Sequence, residues 1–351
     1  MASSAATSNL TYRLTKVSSY DAIQQFEEAI PEIGDHEVLV KVKAVTLNYR
    51  DLMISRGTYP FPTKDQVVPA SDAAGEVVKV GAGVHGFRIG DKVTGNFDPT
   101  NIYNSRKEGP SGYGGDRDGV LRQYHVYPAI ALLKVPADTH LSWEQIASLP
   151  CAAVTAWNAL FGGVSLRPGQ TVLLQGTGGV SVIGLILARA AGASTIITSS
   201  SDAKLEYAKN VLGADYTINY KTHPNWEDEV LKITNGQGAD FILEVSGFKT
   251  ITQSFKAISL GGTIAQIGAL ATDGNGENAN VPRLALTKGA TLRGILIGSV
   301  QQFEELIRFI HARKLEIPVD KTFGFSPEEV QQAFAHLESQ KHIGKIAIRV
   351  D

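Results

Sequence analysis

The chain has 351 residues, 43% of them hydrophobic and 19% charged, with a formal net charge of −2. That length exceeds what one core usually supports and predicts two domains, while the composition argues against extensive disorder and the charge gives no reason to expect nucleic acid. No apolar run reaches the roughly 18 residues of a membrane span, and the polar opening MASSAATSNLTYR lacks a secretory pattern, so a cytoplasmic protein is expected. The single cysteine, Cys151, excludes an intrachain disulfide framework and the cysteine clusters of structural zinc sites.

In chain order, EVLVKVKAV (37–45) alternates like a half-buried strand, and AAGEVVKV (73–80), DKVTG (91–95) and YHVYPAIALLKVP (124–136) follow between glycine-rich turns. Together they predict a small, mostly β domain in the first third. Residues 98–119 show little apolar periodicity and are expected to form a long surface lobe. SWEQIASLPCAAVTAWNALF reads as one helix with Ser142 as its N-cap.

Strands and helices then alternate. TVLLQ, STIITS, YTINY, DFILEVS, TIAQIG and TLRGILIGS read as strands; GVSVIGLILARAAGA, DAKLEYAKNVLGA and NWEDEVLKITN read as helices between them. The pattern predicts a parallel sheet covered on both faces. The tail carries helices QQFEELIRFIHARK and SPEEVQQAFAHLESQ and a closing strand KIAIRV.

In QGTGGVSVIG, the run Gly176, Thr177, Gly178, Gly179, Val180 and Ser181 lies between a strand and a helix. A glycine-rich turn there lets backbone N–H groups approach a pyrophosphate at the positive end of the helix. Serine stands where the third glycine of GxGxxG usually is, and it is small enough to keep strand and helix close. About 20 residues on, where NAD-binding sheets usually offer an acid, the chain has Ser199, Ser200 and Ser201, with Lys204 one turn later. Hydroxyls beside a lysine accept a 2′-phosphate, so NADP(H) is the expected cofactor. The alternative is that SSSD, with Asp202, only caps a helix.

Taken end to end, VPASDAAGEVVKVGAGVHGFRIGDKV, LPCAAVTAW, QGTGGVSVIG, LGADYTINY and GKIAI resemble the medium-chain dehydrogenase/reductase superfamily, especially its zinc-lacking, NADP-dependent alcohol dehydrogenase-like and quinone oxidoreductase-like branches. The resemblance implies an α/β fold: a Rossmann-type doubly wound parallel sheet plus a GroES-like, mostly β catalytic domain. The expected division is 1–134 for the first part of the catalytic domain, 135–300 for the dinucleotide-binding domain and 301–351 for the return. Zinc-dependent members carry a Cys in the segment matching LNYRD and a His-Glu pair matching Ser71-Asp72. Here only Cys151 remains of the ligands, and one thiol plus Asp72 is a poor trap for a catalytic zinc. No zinc is expected. Cys151 is read as small buried core near the pocket, with substrate contact, metal binding and nucleophilic chemistry as the alternatives.

Hydride transfer to a carbonyl, or to the β-carbon of an enone, builds negative charge on an oxygen that donors must stabilise. The segment LNYRDLMISRGTYP looks like the active-site segment of zinc-independent quinone reductases, which implies Asn48, Tyr49, Asp51 and Tyr59 as candidate catalytic residues, with Ser71, Asp72 and Cys151 beside them. The competing possibility is that Asn48 and Asp51 only hold a turn. By the same resemblance Thr155 touches the nicotinamide end, Gly268 and Gly298 let the backbone pass the ring, and Tyr220 lines the adenosine phosphate. Lys345 is similarly placed for the cofactor, unless it is simply exposed. The eight histidines lack metal-ligand spacing and are read as surface or satisfied core residues.

The leading reading is an NADP(H)-dependent reductase of a small carbonyl, enone or quinone, acting without zinc, with no membrane partner and, as a family expectation, a homodimer. A zinc alcohol dehydrogenase with an atypical ligand set and an NADPH-binding protein with a non-redox or structural role are the alternatives.

Overall fold

A computed structural model describes residues 8–104, 109–268 and 279–350. The chain divides into two compact units, Met1–Val154 with Gly298–Asp351, and Thr155–Ile297.

In the first unit β1 (Asn9–Leu14) and β2 (Ile23–Glu28) form an antiparallel pair. The strand β3 (Glu37–Leu47) puts Val38, Val40, Val42 and Ala44 into the core by its period of two, as its sequence pattern demands. Helix α1 (Tyr49–Ser55) follows directly, and then come β4 (Asp72–Val80), β5 (Lys92–Gly95), β6 (Tyr124–Pro128) and β7 (Leu132–Lys134).

Ser142 caps α2 (Trp143–Ala147) as expected, through a capping box with Gln145. The single helix read from the sequence is interrupted, however. A π-helical turn, Leu149–Ala153, separates α2 from α3 (Val154–Phe161). Pro150 lies in that turn and lacks the N–H that a regular helix would use.

The second unit alternates strand and helix: β8 (Thr171–Leu174), α4 (Gly179–Ala190), β9 (Ser194–Ser199), α5 (Asp202–Asn210), β10 (Tyr216–Asn219), α6 (Trp226–Ile233), β11 (Ala239–Glu244), α7 (Ile251–Ala257), β12 (Ile258–Gln266), α8 (Val281–Lys288) and β13 (Thr291–Gly294). The strands pair in parallel in the order β10-β9-β8-β11-β12-β13. This is the parallel sheet that the alternation predicts, with the Rossmann-type order that the family resemblance implies. Its core includes Leu173, Ile196, Ile242, Phe255 and Ile264. The last strand is shorter than TLRGILIGS suggests: it ends at Gly294, and Ile297 has a left-handed backbone with φ 58° that no strand accommodates.

The tail, α9 (Val300–Arg313), β14 (Val319–Phe323), α10 (Pro327–Glu338) and β15 (Lys345–Arg349), belongs to the first unit. There the strand order is β14-β15-β3-β4-β5-β7, with β6 also pairing β3. In the antiparallel pairing of β15 with β3, Ile346 is opposite Leu47, which brings Lys345 to the end of β3.

Three further expectations change. The units divide after Val154 and Ile297 where the sequence suggested 134 and 300, because 135–154 packs on the first unit: the Thr46 hydroxyl donates to Ala147 O at 2.8 Å. The expected surface lobe is interior only in part: Asp98, Asn101 and Tyr113 are buried, whereas Thr100, Tyr103, Asp116 and Arg117 are exposed, and 105–108 lies outside the described residues. His125 is buried but not satisfied. Among the described residues neither ring nitrogen has a hydrogen-bond partner, and the ring is wedged edge-on against Tyr113 and Tyr127 at 4.9 and 4.4 Å. Among the described residues no helix is long and apolar enough to cross a membrane.

Candidate functional site

The glycine turn follows β8. Gly176 has φ +73°, a conformation that favours glycine, and its N–H donates to the Thr198 hydroxyl at 3.2 Å. Gly178 is the N-cap of α4 with an ordinary extended backbone, and a Cβ added there would meet nothing within 4 Å. Its missing side chain therefore leaves an open cradle at a helix N-terminus. Thr177 is buried, and Gly179 and Val180 begin the helix.

Ser181 explains its own departure from the glycine pattern: its hydroxyl donates to Gln175 O at 2.6 Å and ties helix to strand. The close approach of α4 to the sheet occurs instead at Gly184, where a Cβ would lie 2.9 Å from Leu174 and Leu243 side chains. The sequence showed Gly184 within the same motif, but its role needs the packing. Behind the turn, buried Glu244 accepts from Gln175 Nε2 (2.8 Å), the Ser246 and Gly247 N–H groups (2.9 and 3.0 Å) and the hydroxyls of Thr250 and Ser254.

At the end of β9, Ser199 is buried and its hydroxyl accepts the Ser201 N–H at 3.3 Å. Ser201 is the N-cap of α5, yet its side chain makes no cap hydrogen bond. Ser200 and Lys204 are half-buried beside it. Asp202 is held by the Asn219 amide at 2.6 Å, and Tyr220, 42% exposed, follows β10. Among the described residues the buried Thr155 hydroxyl has no hydrogen-bond partner, as a side chain awaiting a ligand would have none.

Gly268 and Gly298 are glycines for reasons of packing. A Cβ on Gly268 would sit 2.1 Å from Val245 O, and one on Gly298 would sit 2.6 Å from the Val154 side chain. Gly298 and Lys345 also lie in the first unit rather than with the glycine turn.

The first unit gathers the other candidates. Asn48 caps α1, and its N–H donates to Asp51 Oδ2 at 2.8 Å, so these two residues do hold a turn. The Asn48 side chain has a different employment: its oxygen accepts from Lys345 Nζ at 2.6 Å and its nitrogen faces Ser71 Oγ at 3.4 Å. Ser71, 1% exposed, donates to Asp72 Oδ1 at 2.6 Å. Asp72 Oδ2 accepts the Cys151 N–H at 3.2 Å and Lys345 Nζ at 3.3 Å. The possibility of a simply exposed Lys345 is thereby removed, since it is 3% exposed.

Cys151 lies in the π-helical turn, and burial, reinforced by Asp72, pushes its thiol well above the usual range. It stays protonated and unreactive. Asp51 is raised from 3.8 to about 6 by burial, against the opposing pull of Arg50 at 3.7 Å. Arg50 lies over the rings of Tyr59 and Phe97, 5.0 and 4.7 Å from their centroids, and donates to Tyr113 O at 2.9 Å. Tyr59 therefore packs on a cation, and Tyr49 is half-buried against the core; neither joins the Asn48–Ser71–Asp72 group. Among the described residues no three His, Cys, Asp or Glu side chains are gathered as metal ligands would be.

Two family models match the chain: an alcohol dehydrogenase GroES-like domain over residues 34–137 and a zinc-binding dehydrogenase over 179–312. A zinc-type alcohol dehydrogenase-like protein of Schizosaccharomyces pombe is 44% identical over 347 residues, 96% of this chain and 97% of that protein. A 2-methylene-furan-3-one reductase of Solanum lycopersicum is 29% identical over 348 residues, 95% of this chain and 77% of that protein. The crystal structure of an NAD-dependent alcohol dehydrogenase superposes with a TM-score of 0.87 at 29% identity, covering 97% of this chain and all (100%) of that one.

Proposed function

The chain belongs to the medium-chain dehydrogenase/reductase superfamily and is an oxidoreductase of that family, and on that premise we propose that it is an NADP(H)-dependent reductase of a small carbonyl, enone or quinone that works without zinc. The observation that carries this reading is the bonding of the polar group in the first unit. Both oxygens of Asp72 are occupied by hydrogen bonds, and the Lys345 ammonium stands beside it where a cationic metal would have to sit. Such donors do not fit a catalytic zinc, which needs about three deprotonated or neutral ligands.

The nucleotide turn fits the cofactor. The open cradle at Gly178 and the N-terminus of α4 would hold the pyrophosphate, and the Thr155 hydroxyl, unpartnered among the described residues, would be free to bond the nicotinamide end. Ser199, Ser200, Ser201, Lys204 and Tyr220 form the adenosine phosphate site, supported by the uncapped hydroxyl of Ser201 and by Asp202 being tied to Asn219. When bound, NADPH supplies the hydride. The chain supplies the donor: an Asn48 N–H would polarise the substrate oxygen. Edge strand β13, with partly exposed Leu292, is the natural surface for a homodimer.

The test is a parallel titration of nucleotide-free protein with NADPH and NADH, followed by turnover before and after dialysis against a chelator. NADPH binding at least tenfold tighter, about 1.4 kcal/mol, and chelator-resistant turnover are expected. Equal affinities would return SSSD to a helix cap, and loss of turnover restored by zinc would overturn the metal-free reading.

A further inference from the structure

A buried carboxylate needs donors for its lone pairs and a cation for its charge. Asp72, 0% exposed, finds both: the Ser71 hydroxyl, the Cys151 N–H and the ammonium of Lys345. Lys345 in turn donates to Leu47 O at 2.9 Å, Asn48 Oδ1 at 2.6 Å and Asp72 Oδ2 at 3.3 Å, which uses its three protons.

These bonds close a ring in which Lys345 is the donor to both neighbours and Asp72 the acceptor from both, so the two paths between them run the same way. Lys345 donates to Asn48, Asn48 faces Ser71 with its nitrogen, Ser71 donates to Asp72, and Asp72 accepts from Lys345. An ammonium accepts nothing, so the amide oxygen must face it and the amide N–H groups must face away. An ionised carboxylate donates nothing, so the Ser71 proton is committed to Asp72. Lys345, Ser71 and Asp72 are 3%, 1% and 0% exposed, whereas Asn48 is only half-buried. Asn48 is thus the member of the ring that a ligand can reach, and what it presents is a donor.

We infer that Lys345 is a positioning residue: it fixes the Asn48 amide with its oxygen inward, so that an Asn48 N–H is aimed at the oxyanion forming on the substrate. The buried Lys345–Asp72 pair then does through a neutral amide what a bound metal would do directly. This rests on the reductase reading above, and it moves Lys345 from the cofactor to the substrate side of the chemistry.

The experiment uses the full chain and 4-nitrophenolate as an oxyanion probe, with binding read by its visible absorbance with and without NADP⁺. Because Lys345→Met alone strands Asp72 as a buried charge and can cost folding, the double variant K345M/D72N removes the pair together. Asn48→Ala removes the donor. Both are expected to weaken phenolate binding about tenfold, the scale of one charge-stabilising donor or somewhat less, while leaving NADPH affinity within about twofold. Adding Asn48→Ala to K345M/D72N should cause no further loss, since both act through one N–H. Multiplying losses, a phenolate affinity unchanged in K345M/D72N, absence of phenolate binding to the wild type, or a tenfold loss of NADPH affinity in K345M/D72N would each overturn the inference. A wild-type protein that binds the probe but neither nucleotide would instead overturn the reductase reading and leave the ring intact.

Discussion

Asp51 is 3% exposed, and burial raises its carboxyl from 3.8 to about 6 despite Arg50 at 3.7 Å. A raised carboxyl favours the protonated form in the folded state. Below the unfolded value both states are protonated and the group contributes nothing. As pH rises from there, the unfolded chain ionises first and folding loses stability, until above about 6 the full cost remains. Two pKa units correspond to about 3 kcal/mol, of which about 2 kcal/mol should develop between roughly pH 4 and pH 7. Asp51→Asn keeps an oxygen for the Asn48 N–H and removes the ionisation. Urea unfolding of both proteins across that range should show the variant gaining on the wild type by about 2 kcal/mol as pH rises. A difference that is flat with pH, or that shrinks, would show that burial does not raise the Asp51 carboxyl.

Other expectations concern the nucleotide turn and the buried histidine. Gly178→Ala should leave unfolding stability within about 0.5 kcal/mol, because its Cβ meets open space, yet reduce NADPH affinity tenfold or more by titration, since that space is the cradle. Ser200→Asp should lower NADPH affinity by at least about tenfold with NADH binding unchanged or improved, read by parallel fluorescence titrations. His125 is held well below 6.5 by burial, so the wild type should lose stability as pH falls below 6.5, where the unfolded chain binds a proton that the folded chain refuses. His125→Phe should remove that acid-side loss, and a variant with the same acid limb would show that the ring takes up a proton in place.

The parts of the fold set by periodicity were readable from sequence. The strand STIITS ends at Ser199 as read, and the glycine turn lies between β8 and α4 because apolar runs and glycines are local signals. What needed coordinates was every feature fixed by distant partners. Lys345 meets Asp72 across 273 residues, so a lysine in GKIAI reads equally well as exposed or cofactor-bound until β15 is laid on β3. The interior placement of Asp98, Asn101 and Tyr113 likewise follows from packing rather than from any repeat in their segment. Cys151 was legible as core because a lone apolar-flanked thiol without ligand partners has few other options, but its contact through the backbone N–H to Asp72 was not.

The glycine turn after β8 is braced within the chain itself: Ser181 ties it to Gln175, and Gln175 is gripped by Glu244, which also holds the 246–250 loop. A turn fixed in this way gives up little conformational freedom on binding. Nucleotide association there should resemble docking into a rigid mould, so that changing one contacted group alters how long the cofactor stays more than how fast it arrives.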